Sequence, residues 1–418
     1  MVNKKYLTSF ITVAGGTLLS QIITFLASPA ISRLYSPTAF GYFSTYSATI
    51  SILAVISCAR YELAIPLPKD IKQSIGIFRL AFFISLIIAL VSIPVILVSY
   101  FLFDLEARFV YILYPLVIIL NALGLCLNLL HNKVGNYGHS SLSKILQAII
   151  VTIISLSIST MSQSYGLIIS SFFGQLINII YLLVLLSPQI KKSLFEPIFN
   201  RSELFDILKN YIELPKLSLL PAFLNIFSSQ IPNYLVSALY GAAFAGFYFF
   251  SLRLVVLPMS LIGSSINEIF YQKIIEKKNN GEKIYSFFKN NLIFLSFTGG
   301  IFFLAIYFFS QRLIPLFFGA AWINSVIVCK ILALSMFIKL IVSPLTMTFI
   351  ALNRVRLSAI WQYSYFSGII LICSLIFYLK VSFIHALFII VGFDLFAYCI
   401  ALIFIFSIVK SYDSSLIK

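Results

Sequence analysis

The sequence predicts an all-α polytopic membrane protein, and three observations lead to this fold class. First, 61% of the 418 residues are hydrophobic and only 10% are charged, whereas about a quarter of the residues of a soluble domain are charged. Second, long apolar runs recur from one end to the other, and a bilayer-spanning helix needs roughly 20 such residues. Third, these runs are continuous and do not alternate with period two, which excludes a transmembrane β-barrel.

Twelve apolar segments are long enough to cross a bilayer. The first is longer than the roughly 7–15 apolar residues of a secretory signal, so we expect a retained span rather than a cleaved leader. The twelve predicted spans are 10–31, 39–60, 75–100, 109–130, 143–163, 165–187, 214–236, 242–268, 290–310, 322–350, 357–379 and 384–409.

The lysines and arginines predict the orientation. Of the 29 basic residues, 20 fall in segments on the side of the two termini, counting Lys144 and Lys216 at the adjoining span ends; four fall on the other side, and five lie elsewhere within or at the edges of spans. Basic residues concentrate in cytoplasmic loops, so both termini are expected in the cytoplasm. Topology and attraction to anionic lipids account for the net charge of +16, and no nucleic-acid partner is expected.

One short stretch occurs twice. "SRLYSPTAFGYF" (32–43) resembles "SALYGAAFAGFY" (237–248) at an offset of 205 residues, and the two copies fall at the junctions of spans 1–2 and 7–8. Six spans separate them, an even number, so the halves are expected to be parallel repeats. We predict two six-helix lobes, 1–190 and 214–418, related by a pseudo-twofold axis along the membrane normal and joined by a cytoplasmic linker, 191–213.

Polar residues inside spans are candidates for the lining of a cavity. Arg253 lies about 20 Å from the outer end of span 8, and its stripe includes Ser260 and Asn267, within about 40° on one helix face. A charge at that depth favours a polar cavity over lipid. Gln21 and Asn225 lie on similar stripes in spans 1 and 7, where helix packing is an alternative interpretation.

Other charged residues within the predicted spans have structural explanations as alternatives to functional ones. Asp394 lies deep in span 12 and Lys330 lies deep in span 10, and an internal ion pair between them is one interpretation. Lys339 lies about 180° from Lys330 around the helix, so the two lysines cannot face the same lumen. Arg60, Glu62 and Glu268 lie near cytoplasmic ends, where snorkelling or local pairing is the ordinary explanation.

No constellation for covalent chemistry is present. The three histidines are scattered, the five cysteines lie in apolar runs, and no P-loop, HExxH or GxSxG motif occurs. We therefore expect no enzyme, cofactor or metal site, and transport not powered by ATP on this chain.

Two stretches carry a family resemblance. "SRLYSPTAFGYFSTYSATISILAVISCARYELAIPLPK" (32–69) and "AGFYFFSLRLVVLPMSLIGSSINEIFYQK" (245–273) resemble oligosaccharide flippases of the Wzx type, in the multidrug/oligosaccharidyl-lipid/polysaccharide exporter (MOP) superfamily. The resemblance implies a MATE-like fold in the bacterial inner membrane, with alternating access. It also implies a cargo of undecaprenyl-pyrophosphate-linked repeat units, moved to the periplasmic leaflet for O-antigen lipopolysaccharide, capsule or exopolysaccharide, beside a polymerase and a chain-length regulator.

The resemblance completes the set of candidate residues. Arg60, Glu62 and Arg253 match its motifs directly. The predicted substrate-binding residues are Arg253, Arg60, Lys330, Gln21, Asn225, Ser260 and Asn267. The ion-coupling candidates are Asp394, Glu268 and Glu62.

Two other functions are weighed against the flippase. A drug/cation antiporter of the same superfamily would rely on intramembrane acids, of which only Asp394 lies deep. An O-antigen polymerase would need a large periplasmic loop with catalytic arginines, and the outer loops here are short. The sugars carried and the coupling ion are left open.

Overall fold

The computed structural model describes residues 4–102, 108–195 and 201–416, and this part of the chain is built from helices without strands. The prediction of an all-α fold is confirmed. Two short 3₁₀ helices, Tyr61–Ala64 and Ala320–Trp322, accompany the α-helices. The α-helices are α1 Lys4–Leu34, α2 Pro37–Ile56, α3 Ile71–Leu102, α4 Arg108–Lys133, α5 Tyr137–Ile158, α6 Gly166–Val184, α7 Pro188–Phe195, α8 Arg201–Asn210, α9 Glu213–Tyr240, α10 Ala242–Asn279, α11 Tyr285–Phe318, α12 Ser325–Leu345, α13 Met347–Ala351, α14 Val355–Leu379 and α15 Phe383–Ser415.

Within the described residues, ten helices are long and apolar enough to cross a membrane. They are α1 to α6, α11, α12 (with α13), α14 and α15. The prediction of a multi-pass membrane protein is thereby confirmed. Predicted spans 7 and 8 correspond to α9 and α10, which are long helices outside these ten, so the count of twelve spans stays a prediction.

The chain forms two compact units. Unit 1 comprises Met1–Tyr35 and Tyr42–Phe227, and unit 2 comprises Ser36–Gly41 and Ser228–Lys418. The predicted lobe and linker boundaries at 190 and 214, like the axis relating the lobes, stay predictions.

In unit 1, α1 packs along α5, and α5 packs against α6. Small residues permit the close approach: the backbone of Gly16 lies against Ser141, whose Oγ donates a hydrogen bond of 2.6 Å to the Thr12 carbonyl. Ser155 and Ser170 join α5 to α6 through their hydroxyls at 2.9 Å. Glycine and serine at these contacts are typical of helix packing in membranes.

In unit 2, α12 is the central helix and packs against α10, α11 and α15. The start of α11 is tied to the end of α15. The Asp413 carboxylate accepts hydrogen bonds from the backbone N–H groups of Ile284 and Tyr285, at 2.8 and 3.0 Å. A carboxylate at this position satisfies free N–H groups and opposes the positive end of the helix dipole.

The repeated sequence stretch has a repeated structural role. In unit 1 the Tyr35 hydroxyl donates a 2.7 Å hydrogen bond to the Ser155 carbonyl, near the end of α5. In unit 2 the Tyr240 hydroxyl donates a 2.7 Å hydrogen bond to the Val381 carbonyl, just after α14. The two tyrosines are 205 residues apart, and each anchors the fifth helix of its predicted half.

The first copy of the stretch also packs against the second inside unit 2. The backbone of Gly41 lies so close to the Ala242 carbonyl that a Cβ would overlap it, and Gly246 stands in the same relation to the Pro37 carbonyl. The ring of Phe40 lies 4.8 Å from that of Trp322, centroid to centroid. These contacts hold Ser36–Gly41 within unit 2.

Candidate functional site

Unit 1 contains a cavity of about 340 Å³ between α2, α4, α5 and α6. This volume is at the lower end of the range of small-molecule sites, about 300–1,000 Å³. Most of the residues that line it have polar side chains, although it lies among helices apolar enough to span a membrane. The lining residues are Phe43, Tyr46, Ser47, Ile50, Ser51, Asn121, Gly124, Leu125, Asn128, Lys144, Gln147, Ser171, Gln175 and Asn178.

Lys144 is the cation of this cavity. Its side chain is half-buried, and Nζ donates a hydrogen bond of 3.0 Å to Thr17 Oγ1 on α1. An ammonium has three N–H donors, so two are left for a ligand. Of the described residues that line the cavity, none is Asp or Glu. The cavity therefore carries a positive charge without an acidic neighbour in its wall.

Carboxamide side chains supply most of the other polar groups. Asn121 and Asn128 on α4 donate to the carbonyls one turn earlier, at 3.1 and 2.8 Å. Each then keeps a side-chain carbonyl as an acceptor, and that of Asn128 is buried without a partner in the described part of the chain. On α6 and α5, Asn178 donates to Gln147 Oε1 at 3.0 Å. The cavity thus offers both donors and acceptors, as a ligand rich in hydroxyl groups requires.

Aromatic residues of α2 form another part of the wall. The ring of Tyr46 stacks on that of Tyr114 with centroids 5.9 Å apart, and Phe43 lies 6.3 Å from Tyr46. A flat apolar face beside hydrogen-bonding groups is a usual composition of ligand sites.

None of the predicted substrate-binding residues is among those that line this cavity. Gln21, on α1, has a buried side-chain oxygen without a partner in the described residues. Arg60 pairs locally, with Nη1 3.7 Å from Glu62 Oε1. Burial raises the pKa of Glu62, and the Arg60 charge opposes this rise. Asn225 is exposed on α9.

The predicted stripe on α10 is described only in part. Arg253 is half-buried, and its side chain has neither a hydrogen bond nor an ion pair within the described residues. Asn267 has a buried side-chain oxygen that is likewise without a partner there. The side chains of Ser260 and Glu268 lie outside the described ones, so the functional stripe stays a prediction.

Asp394 does form an internal ion pair in unit 2, but its partner is Lys339 and not Lys330. The distance from Lys339 Nζ to Asp394 Oδ2 is 2.6 Å. Lys330 instead places its Nζ 5.1 Å from the centroid of the Tyr307 ring. The two lysines lie nine residues apart on α12 and so on opposite faces, and the face of Lys339 is the one turned toward α15.

Two hydroxyl groups complete the surroundings of Asp394. Ser335 Oγ donates to Oδ2 at 2.5 Å, and Tyr365 Oη donates to Oδ1 at 2.7 Å. The carboxylate is therefore held by three donors from α12 and α14. The described residues contain no group of three or more His, Cys, Asp or Glu side chains that could hold a metal ion. Cys58, Cys126, Cys329 and Cys373 are buried, and Cys399 is exposed.

The sequence contains a signal for the unit 1 cavity in the spacing of polar residues on α6 and α5. Ser171, Gln175 and Asn178 follow one another at steps of four and three, and Lys144 and Gln147 are three apart. Such spacing places side chains on one helix face. The predicted span begins at residue 143, which leaves Lys144 at its cytoplasmic end, whereas α5 begins at Tyr137 and places Lys144 about two turns into the helix.

Solved structures with the same fold are membrane transporters. One titled "Lipid II flippase MurJ, inward closed conformation" matches with TM-score 0.72 and 15% identity, covering 97% of this chain and 91% of the other. An inward-facing multidrug resistance MATE family transporter of the MOP superfamily matches with TM-score 0.68 and 14% identity, covering 94% and 96%. An outward-facing transporter of that family matches with TM-score 0.58 and 13% identity, covering 97% and 96%. The expected MATE-like fold is confirmed.

Sequence comparison supplies the family. A search of curated proteins finds no match. The sequence model of the family described as "Polysaccharide biosynthesis protein" matches residues 30–327, well over half of the chain and including both copies of the repeated stretch. This chain belongs to the polysaccharide biosynthesis protein family.

Proposed function

We propose that the protein is a flippase that moves undecaprenyl-pyrophosphate-linked oligosaccharide repeat units from the cytoplasmic to the periplasmic leaflet of the bacterial inner membrane. The observation that carries the proposal is the unit 1 cavity, with Lys144, five carboxamides and no described acidic lining residue. Membership of the polysaccharide biosynthesis family supports the choice of a glycan as cargo. The protein acts as a transporter and not as a catalyst.

The cargo's chemistry fits this wall. A lipid-linked glycan carries many hydroxyls and a pyrophosphate, and burying them in hydrocarbon without partners costs several kcal/mol per group, roughly 4–8 for a hydroxyl. Carboxamides and serine hydroxyls replace water as partners for the sugar. In unit 1, Lys144 is the cation that we assign to the anionic groups, since charge-assisted hydrogen bonds to phosphate or carboxylate are the strong ones. The role of Arg253, in unit 2, stays a separate prediction. The polyprenyl tail stays in lipid.

The cavity argues against the rival antiporter. A cationic drug entering a site with a lysine and no described carboxylate would meet repulsion, and two unit charges 4 Å apart repel by about 4 kcal/mol at an effective dielectric constant of 20. An oligosaccharide has no such conflict. We therefore place the drug/cation antiporter second and the polymerase third.

A deletion strain tests the proposal. We expect it to lack surface polysaccharide and to accumulate the lipid-linked repeat unit, and the wild-type gene to restore export. Lys144→Met should fail to restore it, whereas Lys144→Arg, which keeps the charge, should retain most of the activity. Membrane abundance of each variant is measured alongside, so that loss of protein is separated from loss of transport.

Two results would overturn the proposal. One is normal surface polysaccharide in the deletion strain, together with increased sensitivity to cationic drugs, which would favour the antiporter. The other is full complementation by Lys144→Met at wild-type abundance, which would remove the cavity from the transport path.

A polymerase and a chain-length regulator of the same pathway are the proposed protein partners.

A further inference from the structure

The Asp394 cluster of unit 2 consists of Asp394, Ser335, Lys339 and Tyr365. It resembles a cation site in which the cation is a side chain of the protein, the Lys339 ammonium. Ser335 and Lys339 lie four residues apart on α12, so both reach the same carboxylate oxygen, Oδ2. Tyr365 on α14 holds the other oxygen. The carboxylate that contacts this positive charge, and the two hydroxyl oxygens bonded to the carboxylate, are hard oxygen ligands of the kind that small metal cations prefer.

Burial makes the positive charge obligatory. The Asp394 side chain is only 5% exposed, and an isolated ionised carboxylate in such a place is strongly disfavoured. Other titratable groups that interact with it electrostatically include Tyr248 on α10 and Tyr398 on α15. Tyrosines are neutral at physiological pH, so the compensating charge in this cluster comes from the Lys339 ammonium.

The ammonium also lies at the open side of the cluster. The Lys339 side chain is 25% exposed, five times the fraction of the carboxylate it contacts. Its Nζ lies 5.8 Å from the centroid of the Tyr398 ring, a face that attracts cations. A small cation would therefore have both a route to Oδ2 and favourable surroundings once the lysine side chain no longer filled the position.

We propose that Lys339 is the resident counter-cation of a monovalent-cation site centred on Asp394, and that removing its charge opens this site to Na⁺. In the wild-type protein the site is filled by the chain itself and takes no free cation. Asp394 is then a structural partner of Lys339, not the acid that binds a coupling ion. This inference depends on the geometry of unit 2 alone and stands or falls separately from the proposed flippase function.

The test measures thermal unfolding of the purified, detergent-solubilised protein at pH 8.5 in NaCl, KCl or choline chloride of equal ionic strength. Wild type should unfold at the same temperature in all three salts. Lys339→Met should unfold at a lower temperature in choline chloride and recover several degrees as NaCl replaces it, with saturation. Lys330→Met, on the opposite face of the same helix, is the matched control and should behave like wild type.

A double variant fixes the location of any response. Lys339→Met/Asp394→Asn has no carboxylate, so the gain in NaCl should disappear. If Lys339→Met yields no folded protein, Lys339→Gln is measured in its place.

The proposal is overturned if wild type is itself stabilised by Na⁺ through Asp394. It is also overturned if neither Lys339 variant distinguishes Na⁺ from choline, or if the variant responds to pH alone, since a proton would then neutralise the carboxylate.

Discussion

The backbone of Gly41 lies against the carbonyl oxygen of Ala242, and the backbone of Gly246 lies in the same way against that of Pro37. At the offset of 205 residues, Pro37 and Gly41 of the first copy correspond to Ala242 and Gly246 of the second copy. The contact is thus reciprocal: each copy of the repeated stretch provides both the glycine and the carbonyl. A requirement for close backbone approach explains why glycine occupies both positions.

A methyl group at either glycine should therefore be harmful. We expect Gly41→Ala and Gly246→Ala each to lower the free energy of unfolding by about 1–3 kcal/mol, the usual cost of overpacking. Gly300→Ala is the control, because nothing lies near its position in α11 and alanine favours a helix. Thermal unfolding in detergent measures all three, and equal midpoints would contradict the reciprocal contact.

The carboxamide pair in the cavity separates stability from transport. Asn178→Leu leaves the Gln147 carbonyl without its donor, which should cost about 1–3 kcal/mol. Adding Gln147→Leu should cost less than a second such loss, because both polar partners are then absent. If the cavity binds sugar, export fails in both the single and the double variant, measured by complementation at matched abundance. Restored export in the double variant would mean that the pair is only structural.

The Lys339–Asp394 pair should show strong coupling. Removing one partner of a buried pair costs about 3–5 kcal/mol, and partial exposure of Lys339 favours the lower part of that range. We expect Asp394→Asn and Lys339→Met each to be destabilising, in the absence of Na⁺, and the double variant to be closer to wild type than the sum of the two. A double-mutant cycle on unfolding free energies checks this, and simple additivity would contradict a direct ion pair.

Glu62 should make stability depend on pH. Burial raises its folded-state pKa above the ordinary 4.5. A raised carboxyl pKa gives stability that is complete below pH 4.5 and lost as the pH rises through the folded-state value. Glu62→Gln should therefore raise the unfolding midpoint at pH 7, with the gain shrinking as the pH falls toward 4.5.

Glu282, which is exposed, serves as the control, because its pKa shift and the resulting pH dependence have the opposite sign. Hydrogen bonds from Lys277 and Asn280 lower its pKa, so its contribution is present above pH 4.5 and lost as the pH falls. Glu282→Gln should lower the midpoint slightly at pH 7. A Glu62→Gln variant that is destabilised at pH 7 would show that the pairing with Arg60 outweighs the cost of burial.

Fold class was readable from the sequence because hydropathy over a span is a sum of many residues, and an error at one position does not change it. The repeat was readable because Gly41 and Gly246 have a backbone requirement that few residues satisfy. Pairing was not readable: Lys330 and Lys339 are both lysines within α12, and the structure is needed to tell which of the two meets Asp394.

The unit 1 cavity was missed for a related physical reason. Its wall comes from four helices, and each contributes only two or three polar residues, so no single helix carries a strong signal. Amides also interrupt an apolar run less than charges do. Lys144 was visible as a charge, but the predicted span begins six residues after the start of α5, so Lys144 stood at the end of the span, where a lysine needs no cavity.

The ion pair between Lys339 and Asp394 determines how this part of unit 2 responds to the membrane potential. Displacing one free elementary charge through a membrane potential involves about 2.3 kcal/mol per 100 mV. A carboxylate that loaded and released a sodium ion would exchange energy with the field in this way. An ammonium and a carboxylate that travel together sum to zero, so voltage exerts almost no net force on this part of unit 2.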